Sequence, residues 1–161
     1  DSVGGNMAAV IALLAKERKG PSFKAQLLFY PVTDGSMSTH SYEQFATGPW
    51  LTASAMAWYW DQYLPDAGQR AQNHASPVNA TINELAGLPQ TLIITDENDV
   101  LRDEGEAYGR KLAEAGVRVT SVRYNGTIHD FMMLNALAAS PAVRGAIGQA
   151  TGYLRFIFTQ S

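Results

Sequence analysis

Two continuous runs of apolar residues do most to limit how this chain can fold. The first is AQLLFYPVTD at residues 25–34, and the second is PQTLIITDEND at residues 89–99. A short run with apolar residues at consecutive positions is typical of a strand buried in a parallel sheet. A third run, VRVTSVRYNG at 117–126, contains fewer apolar residues and predicts a strand nearer the sheet edge. The sequence therefore predicts a parallel sheet.

The first predicted helix covers residues 3–15, ahead of the first strand. Its apolar residues repeat at helical spacing, which predicts this core face: Val3, Met7, Val10, Ile11 and Leu14. Basic residues in its last turn, with Gly20 as the expected C-cap, mark its end. No strand precedes this helix, although βα folds put one there. We therefore expect the chain to be the C-terminal part of a larger α/β domain.

Two further helices are predicted, at 103–115 after the second strand and at 141–158 after the third. The last begins with Ser140 as N-cap and Pro141 at the first helical position. Its expected core face is Val143, Ile147, Leu154 and Phe158. Strands that alternate with helices in this way predict an α/β fold, with helices packed on the faces of a parallel sheet.

Composition and charge exclude several classes of protein. The 161 residues are 46% hydrophobic and 17% charged, as in a folded domain rather than a disordered chain. A net charge of -3 argues against a nucleic-acid partner, which requires a basic face. No apolar run approaches the roughly 18 residues that span a membrane. The absence of cysteine excludes disulfides and suits a reducing cytoplasm, which is the location we expect.

Residues 35–75 differ in composition from the rest and predict a cap-like insertion between two parts of one domain, 1–34 and 76–161. Seven of the 16 aromatic residues of the chain, including all three tryptophans, lie in this insertion, and Thr52 is placed to cap a helix that runs to about Tyr63. The rings can form the small core of the insertion. They can also line an apolar substrate pocket, for which Trp50 and Tyr59 are the candidates.

The stretch DSVGG at residues 1–5 leads directly into the first helix and offers a candidate nucleophile, Ser2. In α/β hydrolases the nucleophilic serine lies on a sharp strand-to-helix turn flanked by small residues. Gly4 stands two residues after Ser2, as that turn requires, and Gly5 permits close backbone approach. The alternative is that Ser2 is simply the N-cap of the helix, a position that serine favours.

An activated serine needs a base, and the base needs a third group to orient it. In α/β hydrolases the acid and then the histidine follow later strands. After the second strand the chain offers Asp96 and Asp99, and after the third it offers His129. Asp99 could also be a turn residue before the next helix. The order Ser, Asp, His at three successive element ends favours a catalytic triad.

Five segments, spread over almost the whole chain, resemble the hormone-sensitive-lipase-like group of α/β-hydrolase esterases. They are DSVGGNMA, YPVTD, ASPVNA, LAGLPQTLIITDENDVLRDEGEAYGRKLAEAG and HDFMML. The resemblance implies a serine carboxylesterase acting on short to medium acyl esters. It also implies that Asp99, the first aspartate of D-x-L-R-D-E, is the triad acid beside Ser2 and His129, with Asp96 second. The N–H of Val3 would then be one oxyanion-hole donor.

The chain departs from this family in two residues and in extent. Asp130 follows His129 where the family commonly has glycine, which adds a negative charge near the imidazole, and Val100 replaces a usual proline. The family's oxyanion loop, its early strands and the N-terminal part of its cap all precede the serine turn. We therefore expect the missing N-terminal half, in the same chain or as a bound fragment, as a partner. Without it these residues should be inactive.

Other readings of the sequence stay open. A relative with the same fold that only binds small molecules, or a peptidase with the same triad, would share these segments. We expect no metal, because the three histidines form no spaced ligand set, and no other cofactor. The oligomeric state is not readable from the sequence, and a homodimer is one of the states left open.

Overall fold

The three apolar runs form one parallel sheet with the strand order β1-β2-β3. The structure is a computed structural model that describes residues 1–159. The strands are β1 (Ala25–Phe29), β2 (Gln90–Asn98) and β3 (Val119–Ile128). The predicted parallel sheet is confirmed. The third strand lies at an edge, as its weaker apolar pattern predicted.

Helices occupy most of the chain between and around these strands. They are α1 (Ser2–Glu17), α2 (His40–Gln44), α3 (Ala53–Tyr63), α4 (Ile82–Leu85), α5 (Arg102–Glu114) and α6 (Pro141–Thr159). Four of these helices were expected from the sequence: α1, α5 and α6, whose ends agree with the prediction to within two residues, and α3, which begins after Thr52 and ends at Tyr63 as predicted. Within residues 1–159, no helix is both long and apolar enough to cross a membrane.

The sheet is covered on both faces. On one face α1 and α5 pack against Leu28 and Ile93. On the other face α6 packs against Leu92 and Ile94. All four side chains are completely buried, and each contributes about 1.5–3 kcal/mol to folding through the hydrophobic effect. The predicted arrangement of helices flanking a parallel sheet is therefore confirmed.

The core face of α1 differs from the predicted one. Val3, Met7 and Ile11 are about half exposed (52%, 47% and 53%) in the described part of the chain. Val10 is buried as predicted, but the face toward the sheet carries two alanines, Ala9 and Ala12, together with Leu13. Small side chains let the helix axis approach the strands closely, which apolar periodicity alone does not reveal. The outer face of α1 is thus an apolar stripe.

The core face of α6 is also shifted from the prediction. Val143 is buried as expected, but Ile147 and Phe158 are exposed, at 42% and 61%, and Leu154 is only half-buried. The face that packs against the sheet carries Val143, Ala146, Ala150 and Ile157. The physical reason is again the short distance between the helix and the sheet. The two alanines, spaced four residues apart, fit between α6 and the strands, where larger side chains would not.

The end of α1 uses a lysine where the sequence predicted a glycine. Arg18 is the C-cap, and Lys19 takes the left-handed conformation with φ 53°. The N–H of Gly20 then donates to the carbonyl of Ala15 at 2.7 Å, which is the outer hydrogen bond of a Schellman motif. Gly20 therefore lies one position after Lys19, the residue in the left-handed conformation.

Residues 35–75 pack over the C-terminal ends of β1 and β2. Tyr42 and Trp60 are buried and contact Val32 and Leu101, so they form a core shared with the strand ends. The predicted cap of α3 is confirmed, because the Thr52 hydroxyl accepts the N–H of Ala55. The division into a cap-like insertion and a two-part domain remains a prediction.

Candidate active site

Three chain segments meet at the edge where the parallel strands end: the start of α1, the connection after β2 and the segment after β3. They bring Ser2, Asp99 and His129 together. The Ser2 Oγ lies 3.0 Å from His129 Nε2, and His129 Nδ1 lies 2.8 Å from Asp99 Oδ2. Carboxyl ends of parallel strands are where α/β folds place ligand sites. The geometry is that of a nucleophile, a base and an orienting acid.

The backbone at Ser2 is strained. Its φ of 47° lies in the left-handed region, which costs about 1–2 kcal/mol for a residue with a side chain. Asp1 is the N-cap of α1, and the Ser2 hydroxyl faces His129 instead of an amide of the helix. Gly5 fits the turn because an added Cβ would lie only 2.8 Å from Pro31 Cβ. The alternative that Ser2 is a helix cap is therefore wrong.

Each carboxylate oxygen of Asp99 has its own hydrogen-bond partner. Its Oδ1 accepts the N–H of Leu101 at 3.0 Å, which builds the turn before α5, and its Oδ2 faces His129. Asp99 therefore builds the turn, as one interpretation of the sequence predicted, and also faces His129 as the other interpretation predicted.

A register shift between Asp96 and Asn98 in the β2–β3 pairing bends the strand just before this turn.

His129 is 3% exposed and held on two sides. Its ring packs edge-on against Tyr30, with centroids 5.0 Å apart. Because an ionised carboxylate can only accept, Nδ1–H donates to Asp99, which leaves Nε2 to accept the Ser2 hydroxyl proton. This is the tautomer that a general base next to a serine requires.

The backbone N–H of Val3 follows the candidate nucleophile directly. It belongs to the first turn of α1, where no helical carbonyl can accept it. The Val3 side chain also lines the cavity above Ser2. An amide in this position can donate to negative charge that develops next to the Ser2 hydroxyl.

A cavity of about 780 Å³ opens over Ser2 and His129. Its walls are mostly apolar and aromatic and come largely from residues 50–63. Trp50 and Tyr59, the predicted substrate-binding residues, both lie in its wall, and both are more than half exposed. The other aromatic and large apolar residues of the wall are Val32, Leu51, Met56, Trp60 and Tyr63.

Asp130 connects the cavity wall to the histidine segment. Its Oδ1 lies 3.4 Å from His129 Nε2, and its Oδ2 accepts the indole N–H of Trp50 at 3.2 Å. The residue has φ 64°, in the left-handed region. The conformation explains why glycine suits this position, and the side chain puts a carboxylate at the rim of the cavity.

The arginine and acids of the R-D-E segment have a role that the sequence did not reveal. Arg102 donates to the carbonyl of Glu97 in β2 and to the side-chain oxygen of Gln44 in α2. It therefore connects residues 35–75 to β2. Glu104 is completely buried and accepts the N–H groups of Thr33 and Asp34, which fixes the turn after β1. The run of three charged residues at the start of α5, Arg102, Asp103 and Glu104, was the available signal.

Asn6 was also missed. It is buried one turn after Ser2 and donates to the carbonyls of Val32 and Ala75 at 2.9 and 2.8 Å. These two bonds hold the start of α1 against the segment that precedes residues 35–75 and against the last residue of that range. An asparagine inside an alanine-rich helix was the sequence signal.

The other two histidines lie elsewhere, with His40 beside Glu43 and His74 beside Glu17. In the described residues, Asp96, Asp99 and His129 offer three potential metal-ligand atoms within 4.8 Å of one another. Both ring nitrogens of His129 are already engaged in hydrogen bonds. The cluster therefore has the geometry of a hydrogen-bonded site.

Comparison with known proteins agrees with this geometry. The sequence model of the alpha/beta hydrolase fold matches residues 1–133. An α/β hydrolase of Acanthamoeba polyphaga mimivirus is 52% identical over 144 residues, which are 89% of this chain and 42% of that protein. Curated relatives named esterase, ethyl acetate hydrolase and carboxylesterase also match.

Solved structures give the same result. A thermostable esterase from Pseudomonas putida superposes with a TM-score of 0.91 at 59% identity, over 93% of this chain and 47% of that one. A Rhizomucor miehei esterase superposes with a TM-score of 0.94 at 44% identity, over 99% and 49%. The chain thus spans about half the length of the relatives it matches. It belongs to the hormone-sensitive-lipase-like family of α/β hydrolases, a family of esterases.

Proposed function

We propose that the protein is a carboxylic ester hydrolase in which Ser2, His129 and Asp99 form the catalytic triad. One observation carries the proposal: a continuous line of hydrogen bonds, 3.0 and 2.8 Å long, joins the three side chains beneath an apolar cavity. A protein that only binds small molecules has no physical need for a strained serine joined to such a chain.

In the first half of the reaction, Ser2 Oγ attacks the ester carbonyl carbon while His129 Nε2 takes the hydroxyl proton. Asp99 stabilises the imidazolium that forms and holds its orientation. The carbonyl oxygen becomes an oxyanion, to which the N–H of Val3 donates. The tetrahedral intermediate then collapses, the bond to the alcohol oxygen breaks, and His129 returns the proton to that oxygen. An acyl ester of Ser2 remains.

In the second half, a water molecule replaces the alcohol. His129 removes a proton from the water as its oxygen attacks the acyl carbon, and a second oxyanion forms in the same place. The bond to Ser2 Oγ then breaks, the proton passes from His129 to Ser2, and the carboxylic acid leaves. The enzyme is regenerated, and the net reaction is ester plus water to acid plus alcohol.

We propose that the acyl chain is short to medium in length. The cavity lined by Trp50 and Tyr59 has a volume of about 780 Å³, which falls in the range of sites for compact ligands. Among the relatives, one is named for ethyl acetate, a short ester. In this view residues 35–75 cover the acyl site as a lid.

The test is a chain-length series with the full-length protein and p-nitrophenyl acetate, butyrate, octanoate and palmitate. We expect the highest kcat/KM on one of the first three and little turnover of palmitate. The matched control is the Ser22→Ala variant, which changes an exposed serine far from the cavity and should leave the series unchanged. A series that rises up to palmitate contradicts the proposed acyl preference.

We also predict that residues 1–161 alone do not hydrolyse esters. Val3 offers one oxyanion donor, and the other donors of such enzymes lie in a separate loop. The apolar stripe of Val3, Met7 and Ile11 on α1 is exposed in these residues, consistent with a chain that spans half the length of its relatives. Ser2-dependent turnover of p-nitrophenyl acetate by the purified 161-residue chain would contradict this prediction.

A further inference from the structure

Asp96 is a buried carboxyl group next to the proposed triad, and the mechanism above does not use it. It lies in β2, three residues before Asp99, and the two side chains are 0% and 1% exposed. An oxygen of each carboxyl group and a ring nitrogen of His129 all lie within 4.8 Å of one another. Two carboxyl groups thus share one water-excluded space beside the base.

The two carboxyl groups differ in their hydrogen bonds. Asp99 has a donor for each oxygen, the N–H of Leu101 and the Nδ1–H of His129. Neither oxygen of Asp96 accepts a hydrogen bond from an N–H or hydroxyl donor in residues 1–159. As a carboxylate, Asp96 would be a buried charge with no donor, beside a second negative charge. Such an arrangement is strongly unfavourable, because burial of a charge requires compensating bonds.

Segments outside these residues do not change this picture. Both oxygens of Asp96 are already inaccessible at the surface of the described chain, so a further part of the protein could reach them only by rearranging the core. Nor does a lysine or arginine in residues 1–159 form a salt bridge with Asp96. The group must therefore be satisfied by what already surrounds it.

We propose that Asp96 is the neutral, protonated member of a carboxylic acid–carboxylate pair and that its O–H donates a hydrogen bond to Asp99. One proton thereby satisfies both groups, since Asp96 gains an acceptor and Asp99 gains a third donor. Asp96 is in this account a positioning residue, because it acts on the base only through Asp99. That role, unlike the location of the proton, rests on the proposed function.

The electrostatic surroundings agree with a proton on Asp96. Burial, followed by the charge of Asp99, a hydrogen bond shared with Asp99 and then the charge of Asp130, raises the pKa of Asp96 to about 10. The groups that face it are Asp99 from the β2–α5 connection, His129 and Asp130 from the segment after β3, and Tyr30 at the end of β1. Burial and these acids also raise the pKa of the Tyr30 hydroxyl, so it stays neutral.

The location of the proton can be measured without using enzymatic activity. The full-length protein is labelled with ¹³C at the aspartate side-chain carboxyl carbons, and the Asp96 signal is assigned by its loss in the Asp96→Asn variant. We expect the ¹³C chemical shift of this carbon to stay at the value of a protonated carboxylic acid through neutral pH and to change with a midpoint near pH 10. A signal that titrates near the ordinary aspartate value, about 4, would overturn the proposal.

The positioning role is tested by two variants of the full-length enzyme. Asp96→Asn keeps a donor toward Asp99 but cannot ionise, whereas Asp96→Ala removes the donor. We expect kcat to fall by roughly tenfold or more in Asp96→Ala, the worth of one hydrogen bond to a charged group, and KM to change little. We expect Asp96→Asn to restore kcat. Equal kcat in the two variants would overturn the role.

The acid side of the pH profile of kcat/KM, which reports the base of the free enzyme, gives a second readout. With a neutral Asp96, Asp96→Asn leaves the charge beside His129 unchanged, so the midpoint should not move. If Asp96 were ionised, its removal would take a negative charge away from the imidazole and move the midpoint to lower pH. A downward shift of this midpoint by about one pH unit, which is a tenfold increase in the acid dissociation constant of the base, would overturn the proposal.

Discussion

Ser2→Ala should lower kcat of the full-length enzyme on p-nitrophenyl acetate by a factor of about 10⁴ to 10⁶. Without the hydroxyl no acyl-enzyme can form, and His129 has no proton to remove from a nucleophile. Binding should persist, because the cavity wall over Ser2 comes mainly from residues 50–63. The measurement is steady-state kinetics, with circular dichroism to confirm that the variant is folded.

The matched control for Ser2→Ala is Ser22→Ala, the same chemical change at an exposed serine before β1. It should keep the activity of the unchanged enzyme. If Ser2→Ala retained more than about a tenth of that activity, the assignment of Ser2 as nucleophile would be wrong, since a missing nucleophile costs several orders of magnitude.

Asp99→Asn should lower kcat by about 10⁴ while the fold is kept. The amide can still accept the N–H of Leu101, so the turn before α5 survives. Its NH₂ group would face His129 Nδ1, however, and favour the tautomer that carries the proton on Nε2. That tautomer cannot accept the proton of Ser2. Steady-state kinetics on the same ester measure the loss.

Asp96→Asn is the matched control for Asp99→Asn, because it makes the same change three residues earlier in the same buried space. The account predicts a large loss for Asp99→Asn and a small one for Asp96→Asn. The reverse order would mean that Asp96, the second acid that the sequence offered, orients the base.

Much of the fold and of the candidate site could be predicted because its signals are local. The strands are continuous apolar runs, and α3 and α6 carry their capping residues next to their apolar patterns. Asp99 and His129 follow the carboxyl ends of β2 and β3, and parallel strands bring such positions to one edge. Their meeting with Ser2 therefore follows from the order of elements.

The parts that could not be predicted depend on distances between elements. The core faces of α1 and α6 are set by how closely alanines such as Ala9 and Ala146 let the helices approach the sheet, and apolar periodicity does not contain that distance. The C-cap of α1 is Arg18, two residues before the expected Gly20, so Lys19 takes the left-handed position that follows the cap. The carbonyl of Glu97 and the side chain of Gln44, to which Arg102 donates, lie on other elements, and so do His129, Asp130 and Tyr30, which surround Asp96.

Covalent labelling of the full-length protein by a fluorophosphonate, followed by mass spectrometry of its peptides, tests most directly whether Ser2 is an activated nucleophile. Such a reagent reacts with a serine only when a neighbouring base activates it. The account predicts one phosphonate on Ser2, with labelling lost in His129→Ala. A folded protein that stays unlabelled, or an adduct on another residue, would contradict it.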